Sequence, residues 1–205
     1  TGLFGEDFLE NLSTFKFTGD IYAIPEGTVV FPREPLLKVV APIMEAQLVE
    51  TAILNMINHQ SLIATKASRV VYAAKGDGIM EFGLRRAQGP DAGIYGARAA
   101  MIGGCIGTSN VLTGQMFEVP VKGTHAHSWI MSFPDEYTAF KTYAKLYPEA
   151  CILLVDTYDV LASGVPNAIR VFKEMRAEGL PMKGYGIRID SGDITYCLLY
   201  TSDAA

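Results

Sequence analysis

The amino-acid sequence predicts an α/β protein: a partial (β/α) barrel with parallel strands, preceded by a small N-terminal α+β domain. Three observations carry that expectation. Beyond residue 76, short apolar runs alternate with helical stretches, the pattern of parallel βα units. These runs empty into glycine, hydroxyl, carboxylate or imidazole residues, and strand exits are where α/β proteins gather their chemistry. Before residue 41, β-branched segments alternate with proline-containing turns, which reads as a separate antiparallel unit.

Taken in order, the chain opens on an amphipathic pattern, Leu3, Phe4, Phe8, Leu9, Leu12 and Phe15, expected to be helical. Residues 20–24, 28–31 and 36–40 follow as strands, with Pro25-Glu26-Gly27 and Pro32-Arg33-Glu34-Pro35 as their turns. Pro42 suits the first turn of a long helix, whose apolar positions include Ile43, Leu48, Ala52, Leu54, Ile57 and Leu62, and which runs on to Ala74 before Gly76 stops it. Strands are then expected near 79–83, 104–107, 118–122, 151–155 and 184–189. Helices are expected near 90–102, 109–116, 135–147 and 166–178, with Gly179 as a C-terminal cap. Five strands cannot close a barrel. The expected organisation is therefore a β-rich segment with its connecting helix at 1–76, a partial barrel carrying the active site at 77–196, and a non-native or truncated tail at 197–205. The chain starts at Thr1 inside a helical pattern and stops at Ala205 where another helix should begin, so the expectation is a fragment, inactive by itself.

With 205 residues, 49% hydrophobic and 19% charged, the composition excludes a disordered chain. A net charge of −5 supplies no field to attract nucleic acid, so any anionic ligand must be held by particular arginines and backbone N–H groups. No apolar run reaches transmembrane length and no signal peptide is evident, which points to a cytoplasmic protein with no membrane partner. Cys105, Cys151 and Cys197 lie far apart without metal-type spacing and read as reduced thiols.

The densest chemistry follows Val119-Pro120-Val121, in Lys122-Gly123-Thr124-His125-Ala126-His127-Ser128. In an extended segment residues two apart point to the same side, so both imidazoles could face one ligand. The pair admits three readings. Both rings are satisfied by water or backbone; or they bind a metal as part of a barrel hydrolase, for which the only other histidine is His59 in the long helix. In the third, one is a nucleophile or proton carrier oriented by a carboxylate. Asp156, at the exit of Cys151–Val155, is the natural orienter, and a helix N-cap is its plainer role.

Three further exits complete the set. Arg188-Ile189-Asp190-Ser191-Gly192-Asp193 offers a planar fork for carboxylate or phosphate, an acid for vicinal hydroxyls, and a turn whose N–H groups can face an anion. As structure alone it is an ordinary turn and cap. In Glu81–Pro90, Phe82 can stack on a flat ring while Arg85 or Arg86 neutralises phosphate, or the arginines are surface charges beside a core phenylalanine. Gly107-Thr108-Ser109-Asn110 presents hydroxyls that donate to an anion or cap a helix. Together they describe a pocket for a flat anionic ring and a phosphorylated, hydroxyl-rich partner.

In order and spacing, Glu81–Gly89, Gly107–Gly114, Gly123–Ser128, Asp156–Asp159 and Arg188–Asp193 closely resemble the nicotinate phosphoribosyltransferase family, and Gly19 to Pro42 resembles that family's β domain. The resemblance covers residues 3 to 196. It implies an α/β barrel with an appended β-rich domain, a homodimer with shared sites, and formation of nicotinate mononucleotide and pyrophosphate from nicotinate and phosphoribosyl pyrophosphate. It implies ATP as co-substrate, Mg2+ with the phosphates, and no prosthetic group. By resemblance His127 is the phosphorylated histidine and Asp156 its orienting carboxylate, while His125 has no catalytic role. Phe82 falls under the pyridine ring, Arg188 near its carboxylate, Arg85 near the phosphoribosyl phosphate and Asp190 near the ribose hydroxyls, with Arg86, Thr124, Ser191 and Gly192 as further phosphate contacts. Related nicotinamide-using enzymes carry an aspartate where this chain has Ser109, which favours nicotinate here. The chain departs from the family in lacking its further N-terminal stretch, and Cys197–Ala205 does not match the polar helix expected there. Two rival expectations rest on the residues themselves: a metal-dependent hydrolase using His125 and His127, and a non-catalytic sugar-phosphate binder.

Overall fold

Asp20–Ala23 (β1) and Leu37–Val40 (β2) pair antiparallel, Asp20 opposite Val40 and Ala23 opposite Leu37, in the computed structural model, which describes residues 2–202. A helix at Glu6–Ser13 (α1) precedes them. The strand expected at 28–31 does not form. Pro32 has no N–H to give a ladder, Thr28 N–H turns back to the Pro25 carbonyl at 3.3 Å, and the Glu34 carboxylate takes the Phe31 N–H at 2.8 Å.

Pro42 then leads into a 31-residue helix, Ile43–Ala73 (α2). Met80–Glu81 (β3) and Gly107–Thr108 (β4) pair in parallel, and Val121 adds a parallel bridge to Thr108. These strands are shorter than the runs that announced them. Between them lie a 3-10 turn at Leu84–Arg86 and a helix at Pro90–Ile102 (α3), and after them Val111–Phe117 (α4), capped by the Asn110 side chain on Thr113 N–H at 3.3 Å. Small residues let α3 lie close on α2: a Cβ on Gly103 would stand 2.7 Å from the Ala64 carbonyl oxygen. His59 uses Nε2 to donate to the Ala92 carbonyl at 3.2 Å, a structural role.

The chain divides into two compact units, one up to Lys122 and one from Gly123 onward. Packing of α3 along α2 joins the long helix to the segment that follows it within the first of these units.

In the second unit, His127–Met131 (α5) and Glu136–Leu146 (α6) lead to Ala150–Leu154 (β5), a π turn at Val160–Gly164, Val165–Ala177 (α7), Gly184–Arg188 (β6) and Ile194–Ser202 (α8). Asp135 caps α6 through the Thr138 N–H at 2.7 Å. β5 and β6 run parallel, Ala150 beside Gly184 and Leu154 beside Arg188. Helices cover the strand pair, and Ile130, Phe140, Leu153, Leu154, Val155, Ala168, Val171 and Met175 form the core. Cys151 lies in it, and burial pushes its thiol up to about 11, so it behaves as a small hydrophobe. Residues 197–202, read as tail, continue α8, whose start is held by the Asp193 carboxylate on Tyr196 N–H at 2.9 Å; residues 203–205 lie outside the described residues. The architecture is mixed α/β, helix-rich, with small parallel sheets. Among the described residues no helix is long and apolar enough to cross a membrane.

Candidate active site

Because Leu154 pairs with Arg188, the exits of β5 and β6 lie side by side, and their side chains meet. The Asp156 carboxylate is only 2% exposed. Its Oδ2 accepts the Asp190 N–H at 2.9 Å and the Ser191 hydroxyl at 2.7 Å, which ties the second exit to the first. Its Oδ1 is buried, accepts no hydrogen bond among the described residues, and stands 3.9 Å from His127 Nε2. Asp190 Oδ2 approaches the same nitrogen at 3.7 Å, while its Oδ1 accepts from Arg188 Nη2. The other arm of that guanidinium donates to Thr124 Oγ1 at 2.6 Å. On the far side of the imidazole, Nδ1 lies 3.1 Å from the Thr157 hydroxyl.

His127 thus sits between a hydroxyl and two carboxylates, with 37% of its side chain exposed. A ring so placed is fixed in orientation, open to a reactant, and faced by negative charge wherever positive charge develops on it. The structure brings together His127, Asp156, Arg188, Asp190, Thr124 and Ser191, and Gly192 turns the chain after Ser191 with φ 79°. Asp156 does not cap the helix that follows it. Asp159 does, accepting the Leu161 and Ala162 N–H groups at 2.9 and 2.7 Å.

The expectation that both imidazoles face one ligand is overturned. Residues 123–126 are not a strand, and α5 begins at His127, so the two-residue alternation of an extended chain does not apply. His125 turns into the core, 8% exposed, with Tyr143 edge-on at 4.6 Å between ring centroids. Its Nε2 accepts the Leu154 N–H at 3.2 Å. The described residues contain no group of three or more His, Cys, Asp or Glu that could hold a metal. The hydrolase reading loses one of its two ligands to the backbone.

Burial lowers the His125 pKa from 6.5 to about 4, outweighing a backbone hydrogen bond at Ala126 that raises it, with Arg188 and His127 adding to the depression. The folded ring therefore binds its proton more weakly than the unfolded one. Its contribution to stability is intact above pH 6.5 and is lost as pH falls from there to about 4, because only the unfolded chain takes up the proton in that interval. The loss should reach on the order of 2–3 kcal/mol. Melting curves between pH 7.5 and 4.5 should show it, and the His125→Gln variant should have a shallower acid slope; equal slopes would refute the assignment.

In the first unit, Arg85 and Arg86 lie exposed on the 3-10 turn, Phe82 is half-buried just before it, and Ser109 is exposed at the exit of β4. The Thr108 hydroxyl, read as an anion donor or a helix cap, is fully buried and donates to Glu81 Oε2 at 2.6 Å. Sequence reasoning missed two participants. Thr157 adjoins Asp156 and has no spacing signal of its own, and Glu81 ends its strand among residues of more reactive type.

Comparison with known proteins adds an independent line. Residues 1–58 match the family model described as the nicotinate phosphoribosyltransferase N-terminal domain, and residues 78–202 match the nicotinate phosphoribosyltransferase family model. A nicotinate phosphoribosyltransferase of Bacillus subtilis (strain 168) is 52% identical over 191 residues, 93% of this chain and 38% of that protein. One from Dictyostelium discoideum is 42% identical over 229 residues, with 93% and 38% covered. Among solved structures, human nicotinic acid phosphoribosyltransferase superposes with a TM-score of 0.88 at 32% identity, over 98% of this chain and 49% of that one. Nicotinate-nucleotide pyrophosphorylase from Pyrococcus furiosus gives 0.66 at 26% identity, over 83% and 57%. The chain spans about two fifths of the length of the curated relatives it matches.

Proposed function

The chain belongs to the nicotinate phosphoribosyltransferase family, and on that premise we propose that the intact protein forms nicotinate mononucleotide and pyrophosphate from nicotinate and phosphoribosyl pyrophosphate, with ATP hydrolysis coupled through His127. The observation that carries this reading is the imidazole of His127, open on one side and set 3.9 and 3.7 Å from Asp156 and Asp190.

In the coupling step an imidazole nitrogen attacks the γ-phosphorus of ATP. An N–P bond forms as the P–O bond to ADP breaks, and the positive charge left on the ring meets the two carboxylates. Water later cleaves the N–P bond, releasing phosphate and the free ring. In the transfer step the C1–O bond of phosphoribosyl pyrophosphate breaks, pyrophosphate leaves with the electron pair, and the pyridine nitrogen attacks the oxocarbenium-like carbon. Most of the catalysis is positioning and charge stabilisation.

The other side chains fall into roles around these steps. Phe82 stacks under the pyridine ring. Arg188 pairs with its carboxylate, a charge-assisted bond worth about 1.5–3 kcal/mol, and Ser109 donates to the same group. Arg85 and Arg86 meet phosphate, as do Thr124, Ser191 and Gly192, and Asp190 accepts from the ribose hydroxyls. Mg2+ would accompany the phosphates. Carboxylate oxygens such as those of Asp190 suit it, since Mg2+ takes one or two carboxylates and completes its shell with phosphate and water, neutralising charge on the phosphates. The parallel strand pieces belong, on this reading, to an α/β barrel in a cytoplasmic homodimer.

His127→Ala tests the assignment in the intact protein. It should abolish ATP consumption per product while leaving some ATP-independent phosphoribosyl transfer, followed by paired assays of ADP and nicotinate mononucleotide. Unchanged stoichiometry would remove His127 from the role.

A further inference from the structure

Glu81 closes β3, and its side chain folds back over the strand exit. Oε1 accepts the Gly83 N–H at 2.5 Å and Oε2 accepts the Thr108 hydroxyl at 2.6 Å. The same hydroxyl oxygen accepts the Asn110 N–H at 3.0 Å, and the Glu81 carbonyl accepts the Ser109 N–H at 3.1 Å. One residue therefore holds the amide next to Phe82 and, through its carbonyl and carboxylate, the backbone on both sides of Ser109. Thr108 is fully buried, so its hydroxyl has no water to turn to if the carboxylate is withdrawn.

We propose that Glu81 is a positioning residue for base recognition: its carboxylate sets Phe82 and Ser109 in register and so controls affinity for, and choice of, the pyridine base. The proposal rests on the roles given above to Phe82 and Ser109. Neither Glu81 nor Thr108 touches the base. Two exits that carry a stacking ring and a hydroxyl must keep their spacing to within a fraction of an ångström for both to engage one small ring. A carboxylate that accepts from both exits at once supplies that constraint. A carboxamide at position 81 could keep one carbonyl acceptor for Gly83 N–H and would leave the Thr108 proton without its acceptor, which makes Glu81→Gln a graded perturbation.

The test uses the intact protein carrying Glu81→Ala, Glu81→Gln, Thr108→Val or Phe82→Ala. The readouts are KM for nicotinate and for phosphoribosyl pyrophosphate, kcat, ATP consumed per product, and the preference for nicotinate over nicotinamide. Glu81→Ala should raise the nicotinate KM about tenfold or more and narrow the base preference, while the phosphoribosyl pyrophosphate KM and the ATP stoichiometry stay within about twofold. Thr108→Val should follow it, and Glu81→Gln should fall between wild type and Ala. If Glu81→Ala does not fold, a base-selective KM rise in Glu81→Gln supports the proposal and an unchanged one overturns it. A parallel rise of both KM values, or a loss of kcat alone, overturns it as well, because a merely structural role weakens the whole site. Phe82→Ala separates the two levels: if it leaves the nicotinate KM unchanged, the base-site reading itself falls and takes the proposal with it.

Discussion

Replacing Gly164 by Ala is expected to destabilise the second unit by about 3 kcal/mol or more, and to do so without removing a single contact. The backbone there is an ordinary right-handed helical conformation, φ −59° and ψ −56°, so strain at φ is not the cause. The cause is space. A Cβ on Gly164 would stand 1.9 Å from the Val155 carbonyl oxygen and 2.7 Å from its carbonyl carbon. These are backbone atoms with no rotamer to escape into. Val155 is fully buried and bonded to the next strand, its N–H to the Arg188 carbonyl at 3.1 Å. On the other side the π turn is pinned by Asp159 and by the Ser163 hydroxyl on Glu136 Oε2 at 2.5 Å. Neither wall yields cheaply, and the residue that moves with Val155 is Asp156. Thermal or denaturant unfolding checks the stability loss, and the ATP stoichiometry checks the displacement of Asp156. Gly123→Ala is the control, since its Cβ would meet nothing within 4 Å. A Gly164→Ala protein as stable as the control would mean that α7 seats farther from β5 than the structure has it.

That glycine also marks where the sequence stopped being legible. A helix starting at 166 was readable from Pro166 and the amphipathic pattern beyond it, and α7 begins one residue earlier. The π turn before it was not, because nothing in Leu161-Ala162-Ser163-Gly164 distinguishes an ordinary first turn from one widened to clear a neighbouring carbonyl. Strands obey the same logic. Cys151–Val155 announced β5 because a strand covered by helices needs apolar residues throughout. At 79–83, 104–107 and 118–122 similar runs yield pairings of two residues or one, since glycine and proline interrupt the ladders. Thr28–Phe31 had the composition of a strand and no room for one between two prolines.

The candidate site was legible to the extent that chemistry gathers at strand exits. Asp156 and Asp190 were visible because each follows an apolar run. The division of labour between His125 and His127 was not, since it depends on a helix that starts at the second histidine and turns the first inward. Thr157 and Glu81 escaped for another reason. A residue that acts by orienting a neighbour leaves no signature in composition or spacing; its role exists only once the partner's position is known.

On the coupling proposed for His127, Asp156→Asn in the intact protein should leave the second unit folded and cut phosphorylation of that histidine by ATP on the order of 10²–10³-fold. The two substitutable functions of this carboxylate lie on different oxygens. Oδ2 accepts the Asp190 N–H and the Ser191 hydroxyl, and the amide oxygen of Asn can take both. Oδ1 faces His127 Nε2 at 3.9 Å and accepts no hydrogen bond among the described residues, so the amide nitrogen would occupy that place and present N–H groups to the ring in place of negative charge. Asp190→Asn should cost less. Its carboxylate is 31% exposed and already shares its charge with Arg188, so water and the guanidinium screen what reaches the ring. The ranking follows from burial: a charge 2% exposed acts on the imidazole through protein, a charge one-third exposed acts partly through solvent. Rapid-quench transfer of label from the γ-phosphate of ATP measures both variants, and thermal unfolding of the same preparations confirms that each is folded. Equal losses in the two, or normal phosphorylation in Asp156→Asn, would show that the stabilising charge comes from elsewhere. A loss confined to Asp156→Asn would place the control of the coupling step on the buried Oδ1 that faces the imidazole.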